Sequence, residues 1–158
     1  DRCLGCRTCE LYCAAERDST GKTLLKASRE SPAPHARVRV EGRSGASFPL
    51  QCRQCLEAPC LDACLTGALH REPNSGLVIL REDLCIGCWT CSAFCPYGAI
   101  TPAPERKIAL KCDRCLYMEM PVCVDVCPTR ALEVVDVDDL EALAGEKRRR
   151  AAEPETNP

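Results

Sequence analysis

The chain has 158 residues and a formal net charge of −2, with 28% charged, 46% hydrophobic and only 4% aromatic residues. Sixteen of the residues counted as hydrophobic are cysteines, so the true apolar share is nearer a third, a thin core for one domain or two small fused ones. No stretch approaches the roughly 18 apolar residues of a membrane span, and a slightly acidic chain is a poor partner for nucleic acid.

In chain order, the first feature is a cysteine quartet, Cys3, Cys6, Cys9 and Cys13. Gly21-Lys22-Thr23 then imitates the end of a phosphate loop. The first glycine of that loop would fall at Glu16, so the motif fails. Within the stretch from Ala33 to Pro49, Arg37-Val38-Arg39-Val40 reads as a strand. The second quartet is Cys52, Cys55, Cys60 and Cys64. After it, Ala68-Leu69-His70-Arg71, the turn Pro73-Asn74-Ser75-Gly76 and Leu77-Val78-Ile79-Leu80 predict a hairpin. The third quartet is Cys85, Cys88, Cys91 and Cys95, followed by Pro96. A second hairpin is expected through Ala99-Ile100-Thr101, a turn over Pro102–Pro104, and Lys107-Ile108-Ala109-Leu110. The fourth quartet is Cys112, Cys115, Cys123 and Cys127, followed by Pro128. One helical turn is expected at each x3 gap, over 9–13, 60–64, 91–95 and 123–127. The segment from Asp138 to Arg150 predicts an amphipathic helix with Leu140 and Leu143 apolar, and 151–158 predicts a flexible tail.

The quartets use every cysteine, and three of them close on a repeated hexapeptide. The copies are Cys64-Leu65-Thr66-Gly67-Ala68-Leu69, Cys95-Pro96-Tyr97-Gly98-Ala99-Ile100 and Cys127-Pro128-Thr129-Arg130-Ala131-Leu132. Quartets one and three read C-x2-C-x2-C-x3-C, similar to the run with which bacterial ferredoxins hold [4Fe–4S] cubanes. A cubane wants one thiolate on each of its irons. Three cysteines at i, i+3 and i+6 reach three corners, and the fourth ligand comes from elsewhere. In two-cluster ferredoxins, the last cysteine of each run serves the other cluster.

Other uses of cysteine fit less well. A disulfide framework belongs to an exported chain, and thiols this close within a run bridge poorly. Structural zinc takes C-x2-C pairs, often with histidine, whereas these are triads and the only histidines are His35 and His70. A metal scavenger would not need the ordered apolar segments between the runs.

Only 20 residues separate Cys64 from Cys85, so quartets two and three are expected to form an inner unit over 52–111. Quartets one and four pair around it as an outer unit, 1–51 plus 112–135, with an insert at 14–51. Residues 136–158 form the C-terminal helix and tail. Cross-ligation then places inner clusters on Cys52, Cys55, Cys60 and Cys95, and on Cys85, Cys88, Cys91 and Cys64. The outer clusters fall on Cys3, Cys6, Cys9 and Cys127, and on Cys112, Cys115, Cys123 and Cys13. The expected fold class is α+β: two fused, pseudo-symmetric units like bacterial ferredoxin, with short helices and small β-hairpins around four [4Fe–4S] clusters. Each oxidised cubane with its thiolates carries about −2, moving the loaded protein towards about −10. Folding and metal binding become one event, and the apoprotein should be largely unfolded.

The chain resembles the four-cluster polyferredoxin subunits found beside molybdenum or tungsten pterin enzymes, carbon monoxide dehydrogenases and some hydrogenases. The resemblance rests on Cys-Leu-Gly-Cys-Arg-Thr-Cys-Glu at 3–10, Cys-Arg-Gln-Cys-Leu-Glu-Ala-Pro-Cys at 52–60, Cys-Ile-Gly-Cys-Trp-Thr-Cys at 85–91 and Lys-Cys-Asp-Arg-Cys at 111–115, and covers about residues 1–135. Leu65 departs from it, because the family usually has proline there. The resemblance implies an electron-transfer subunit that relays electrons between a catalytic oxidoreductase subunit and a second partner such as a flavin subunit. The preferred catalytic partner is a tungsten or molybdenum pterin aldehyde oxidoreductase. Carbon monoxide dehydrogenase, formate dehydrogenase, hydrogenase and a free diffusible polyferredoxin are the alternatives, and the resemblance extends to the iron–sulfur subunits of dimethyl sulfoxide reductase types. It also implies that the insert packs near the second quartet and meets a partner, and stacking of chains into longer wires is a further expectation.

No Rossmann fingerprint, flavin motif or catalytic triad is present, so the chain is expected to carry electrons and not to catalyse. Sixteen thiols for sixteen irons also leave no open iron for substrate. Thiol chemistry in the absence of a leader points to the cytoplasm; a leader ahead of Asp1 would point to export. Trp89 either packs over a cluster or marks an electron exit. Lys111, Arg114 and Arg53 adjoin ligands and either raise local potentials or are solvated charge. His35 and His70 read as structural or exposed, and the basic run 146–150 as a solvated tail or docking segment.

Overall fold

The computed structural model describes residues 2–43, 46–139, 142, 145 and 146. Its regular elements are short. They are helix α1 (Thr8–Arg17), α2 (Leu24–Ala27), strands β1 (Val38–Arg43) and β2 (Ala46–Gln51), α3 (Pro59–Asp62), β3 (Leu69–Arg71), β4 (Val78–Leu80), α4 (Thr90–Phe94), β5 (Ile100–Ala103), β6 (Ile108–Lys111) and α5 (Val122–Asp125), with 3-10 turns at Glu82–Leu84 and Val137–Asp139. The result is a small mixed helix and strand fold. No helix among the described residues is long and apolar enough to cross a membrane.

Among the described residues, the three strand pairs are antiparallel hairpins. Leu69 faces Leu80 in β3–β4, and Ile100 faces Lys111 in β5–β6. The expected turn over Pro102–Pro104 lies further along the chain. Pro102 is inside β5 opposite Ala109, and the chain reverses over Pro104–Lys107, where the N–H of Lys107 donates to the carbonyl of Pro104 at 3.2 Å. A proline fits a strand with a free outer edge, where an outward position needs no N–H. The strand expected at 37–40 is real and longer, and it has a partner the sequence reading did not find, β2, with Val38 opposite Gln51. Val38 and Val40 turn inward while Arg39 and Glu41 pair outside at the same face, the period-two pattern of a half-buried strand.

The helical turns behave differently at the two kinds of run. In α1, Cys9 and Cys13 lie on one buried face, one turn apart, and the helix continues to Arg17. The other three stop before their last cysteine. Cys95 has left helical geometry, with φ −76° and ψ 112°, as expected before Pro96, and Cys64 and Cys127 lie beyond the ends of α3 and α5. Leu140 and Leu143 of the predicted C-terminal helix lie outside the described residues, as does 147–150 of the basic run.

Cysteine is a main component of the interior. One core joins Cys60 and Cys91 with Ala58, Leu69, Val78, Ile100 and Ala109, flanked by Cys55, Cys64, Cys85, Cys95 and Trp89. Another joins Cys9, Cys13 and Cys123 with Val38, Val40 and Leu132, flanked by Cys3. Helix α3 packs on α4, and α1 packs on α5. The first core therefore draws on runs two and three, and the second on runs one and four with the insert strand β1.

Candidate metal centres

All sixteen cysteines are free thiols. Cys52, Cys55, Cys60 and Cys95 line one cavity, walled by Ala58, Val78, Ile100 and Tyr97, with Lys111 and Gln54 at its side. Cys3, Cys6, Cys9 and Cys127 line a second, walled by Leu4, Val40, Pro49 and Leu132. In each, three cysteines come from one run and the fourth from another. Charge also couples the thiols outside these cavities. Burial pushes the Cys91 thiol up to about 11, and charge on Cys64, Cys85 and Cys88 adds to the shift. Burial pushes Cys123 up to about 12, with charge on Cys112, Cys13, Cys115 and Cys9 the next contributors. The structure thus brings two of the four expected sets together as cavity walls, Cys52, Cys55, Cys60 and Cys95 in one and Cys3, Cys6, Cys9 and Cys127 in the other. Among the described residues, no three His, Cys, Asp or Glu close on a single metal ion; in the two cavities the thiols line walls.

The local backbone aims donors at these sulfurs. Arg7 and Trp89 occupy equivalent places in runs one and three, each in the left-handed region with φ 57° and 54°. Each is followed by a threonine whose hydroxyl donates to the preceding cysteine, Thr8 to Cys6 at 3.4 Å and Thr90 to Cys88 at 3.5 Å. These hydroxyls, with the backbone N–H groups beside them, hold the Cys6 and Cys88 thiols below the ordinary range. In runs two and four, the N–H of Gln54 donates to Cys52 at 3.4 Å and that of Arg114 to Cys112 at 3.3 Å. The last cysteine of three runs receives an N–H from its own hexapeptide: Cys64 from Leu69 at 3.4 Å, Cys95 from Ala99 at 3.4 Å and Cys127 from Ala131 at 3.2 Å. At Cys64 and Cys127, burial acts upward as the largest single influence, yet the N–H and threonine donors together bring both thiols down. Cys13 has no hexapeptide because its helix runs on. Its sulfur receives the N–H of Arg37, from the insert, at 3.2 Å; burial nevertheless keeps that thiol above the ordinary range.

Four thiols from two runs, N–H donors aimed at sulfur and an apolar wall form the donor set that a four-iron cluster takes. N–H and O–H donors offset thiolate charge, and the wall keeps water from the sulfurs.

Other sequence candidates resolve individually. Trp89 is half-buried against the core of runs two and three, and its Nε1–H donates to the Ile108 carbonyl at 3.3 Å. Lys111 is 4% exposed, which excludes the solvated reading for it. Arg53 is exposed and lies 5.8 Å from the centre of the Tyr97 ring. His35 is structural: its N–H donates to Asp18 at 2.7 Å. Gly21-Lys22-Thr23 forms a helix start, with Thr23 Oγ1 accepting the Lys26 N–H at 3.3 Å. Gln54 was missed, and nothing in the sequence marks a glutamine between ligands. Thr8 and Thr90 were also missed, although their shared place before the third cysteine of matching runs was a usable signal.

A family model described as a 4Fe-4S dicluster domain matches residues 44–137. The chain is 39% identical over 166 residues to an iron-sulfur protein of Rhodospirillum rubrum, covering 95% of this chain and 86% of that protein. It is 36% identical to the electron transport protein HydN of Escherichia coli, covering 96% and 93% of the two chains. It is 31% identical to one of the chains of the anaerobic dimethyl sulfoxide reductase of Haemophilus influenzae, covering 99% and 80%.

Proposed function

The chain belongs to the 4Fe-4S dicluster family of iron–sulfur electron-transfer proteins, and on that premise we propose that it is a four-cluster electron wire serving a catalytic oxidoreductase subunit. It is an electron carrier, not itself a catalyst. The reading is carried by one observation: two cavities each lined by three cysteines of one run and the last cysteine of another. The proposed ligand sets are the four given by cross-ligation, with an inner unit over 52–111, a pseudo-symmetric outer unit of 1–51 plus 112–135, and a terminal segment at 136–158.

A cluster bound in each set supplies one-electron transfer. The protein's own residues set its conditions. Each last cysteine ties two runs together, so binding at either site fixes both. The N–H donors from Leu69, Ala99, Ala131 and Arg37 point at those sulfurs and would offset their negative charge in a bound cluster. Trp89 and the aliphatic walls exclude water.

The catalytic partner is a tungsten or molybdenum pterin oxidoreductase, of which the aldehyde oxidoreductase is the preferred member. A relative that is one chain of a reductase supports a catalytic companion, and a flavin subunit is the proposed second partner. The reducing cytoplasm is the proposed compartment. The test is anaerobic purification of the complex through a tag on this chain, followed by metal analysis. Tungsten or molybdenum in step with iron supports this partner. Nickel points instead to carbon monoxide dehydrogenase or hydrogenase, and iron alone to a free ferredoxin.

A further inference from the structure

Lys111, 4% exposed, is the most buried charged residue among the described residues. No ion pair involves it among those residues. Its Nζ donates to three oxygens: Gln54 Oε1 at 3.3 Å, the Cys112 carbonyl at 3.2 Å and the Val78 carbonyl at closer range. An ammonium has three N–H donors and no acceptor, so three oxygen acceptors satisfy it completely, whereas a neutral amine would leave a lone pair facing oxygen. A buried cation with no carboxylate partner is costly unless negative charge lies close by.

That negative charge lies on two sides. Lys111 lines the cavity of Cys52, Cys55, Cys60 and Cys95, and its Nζ also holds the backbone of Cys112. Gln54 closes the same joint: its Oε1 accepts from Val78 N–H at 2.9 Å, and its Nε2 donates to the Cys112 carbonyl at 2.8 Å. Through Lys111 and Gln54 the wall of the Cys52 site is thus tied directly to the backbone at Cys112.

We propose that Lys111 is the electrostatic joint of the wire, a buried ammonium between the Cys52 site and the Cys112 site that raises the reduction potential of both clusters facing it. The inference rests on the four-cluster reading above. A fixed positive charge favours the reduced, more negative cluster, and the effect fades with distance, so the other two clusters feel it least. The same cation offsets the repulsion between two anionic neighbours, which identifies this contact as the crossing between inner and outer units.

The experiment is a potentiometric titration followed by electron paramagnetic resonance on the fully loaded chain. Iron in the unmodified chain well short of about 16 overturns the four-cluster reading before any variant is made. Lys111→Met removes the charge and the donors; Lys111→Gln removes the charge and keeps two donors; Lys111→Arg keeps the charge. The expected result is that two of four midpoint potentials fall in both the Met and Gln variants and two hold, with Arg near native. A native-like Gln variant beside a shifted Met variant would mean hydrogen bonding alone and overturns the proposal. So would a shift of one potential, of all four together, or of none. Should the Met variant fail to load iron, the Gln and Arg pair makes the same decision.

Discussion

The backbone N–H of Arg37 donates to Cys13 Sγ at 3.2 Å across 24 residues of sequence. The Arg37 side chain, 9% exposed, meanwhile reaches Glu82 at 3.4 Å and Asp113 at 3.9 Å. One residue of the insert thus touches a ligand of run one, the loop of run four and the turn before run three. Replacing it with proline removes the N–H and is expected to cost iron at the Cys13 site while sparing the Cys52 site. Arg37→Ala keeps the N–H and loses the bridges, at about 1–3 kcal/mol. Iron content and the rate of bleaching in denaturant separate the two.

The cross-pairing has a direct genetic test. Cys95→Ala is expected to damage the cluster held by Cys52, Cys55 and Cys60, because those four thiols line one cavity. Iron should drop by up to about 4 per chain, with the Cys85 signals kept. Loss of the Cys85 cluster with the Cys52 cluster intact would reverse the assignment.

Gly87 sits at φ +67° inside the third run, and a Cβ there would lie 2.4 Å from the Lys107 carbonyl oxygen. Gly67 has the same φ and open space around it. Gly67→Ala should cost only the left-handed strain, about 1–2 kcal/mol. Gly87→Ala must also displace the β5–β6 turn and should cost clearly more. Thermal bleaching midpoints of the two variants provide the comparison.

Asp18 ties the end of α1 to His35 and, through its other oxygen, to Arg106. Burial acts upward on its carboxyl as the largest single influence, but the His35 N–H and the Arg106 guanidinium outweigh it and hold the group below the ordinary carboxylate range. A carboxyl depressed in the folded state stabilises it above the unfolded value, and that contribution is lost as pH falls through the folded one. Asp18→Asn should therefore bleach faster than the native chain at neutral pH, and the gap should close below about pH 4. A gap that widens in acid would refute this sign.

The cysteine chemistry was legible because ligands announce themselves by spacing. Both central hairpins were legible because a turn separates two apolar runs. Strand β2 was not, since Ala46–Gln51 contains Pro49 and alternates weakly, and its place is fixed by pairing with β1. The burial of Lys111 was also hidden. A lysine beside a ligand reads as solvated charge until three oxygens from separate segments converge on it. Helix α1 outran its predicted turn because run one lacks the closing hexapeptide that ends the others.

The most direct test of the wire is elemental analysis of the anaerobically purified chain with its bound metals. The account predicts iron near 16 per chain, matched by acid-labile sulfide, from four sets of four thiols. Zinc in place of iron, or iron near 8, would contradict it.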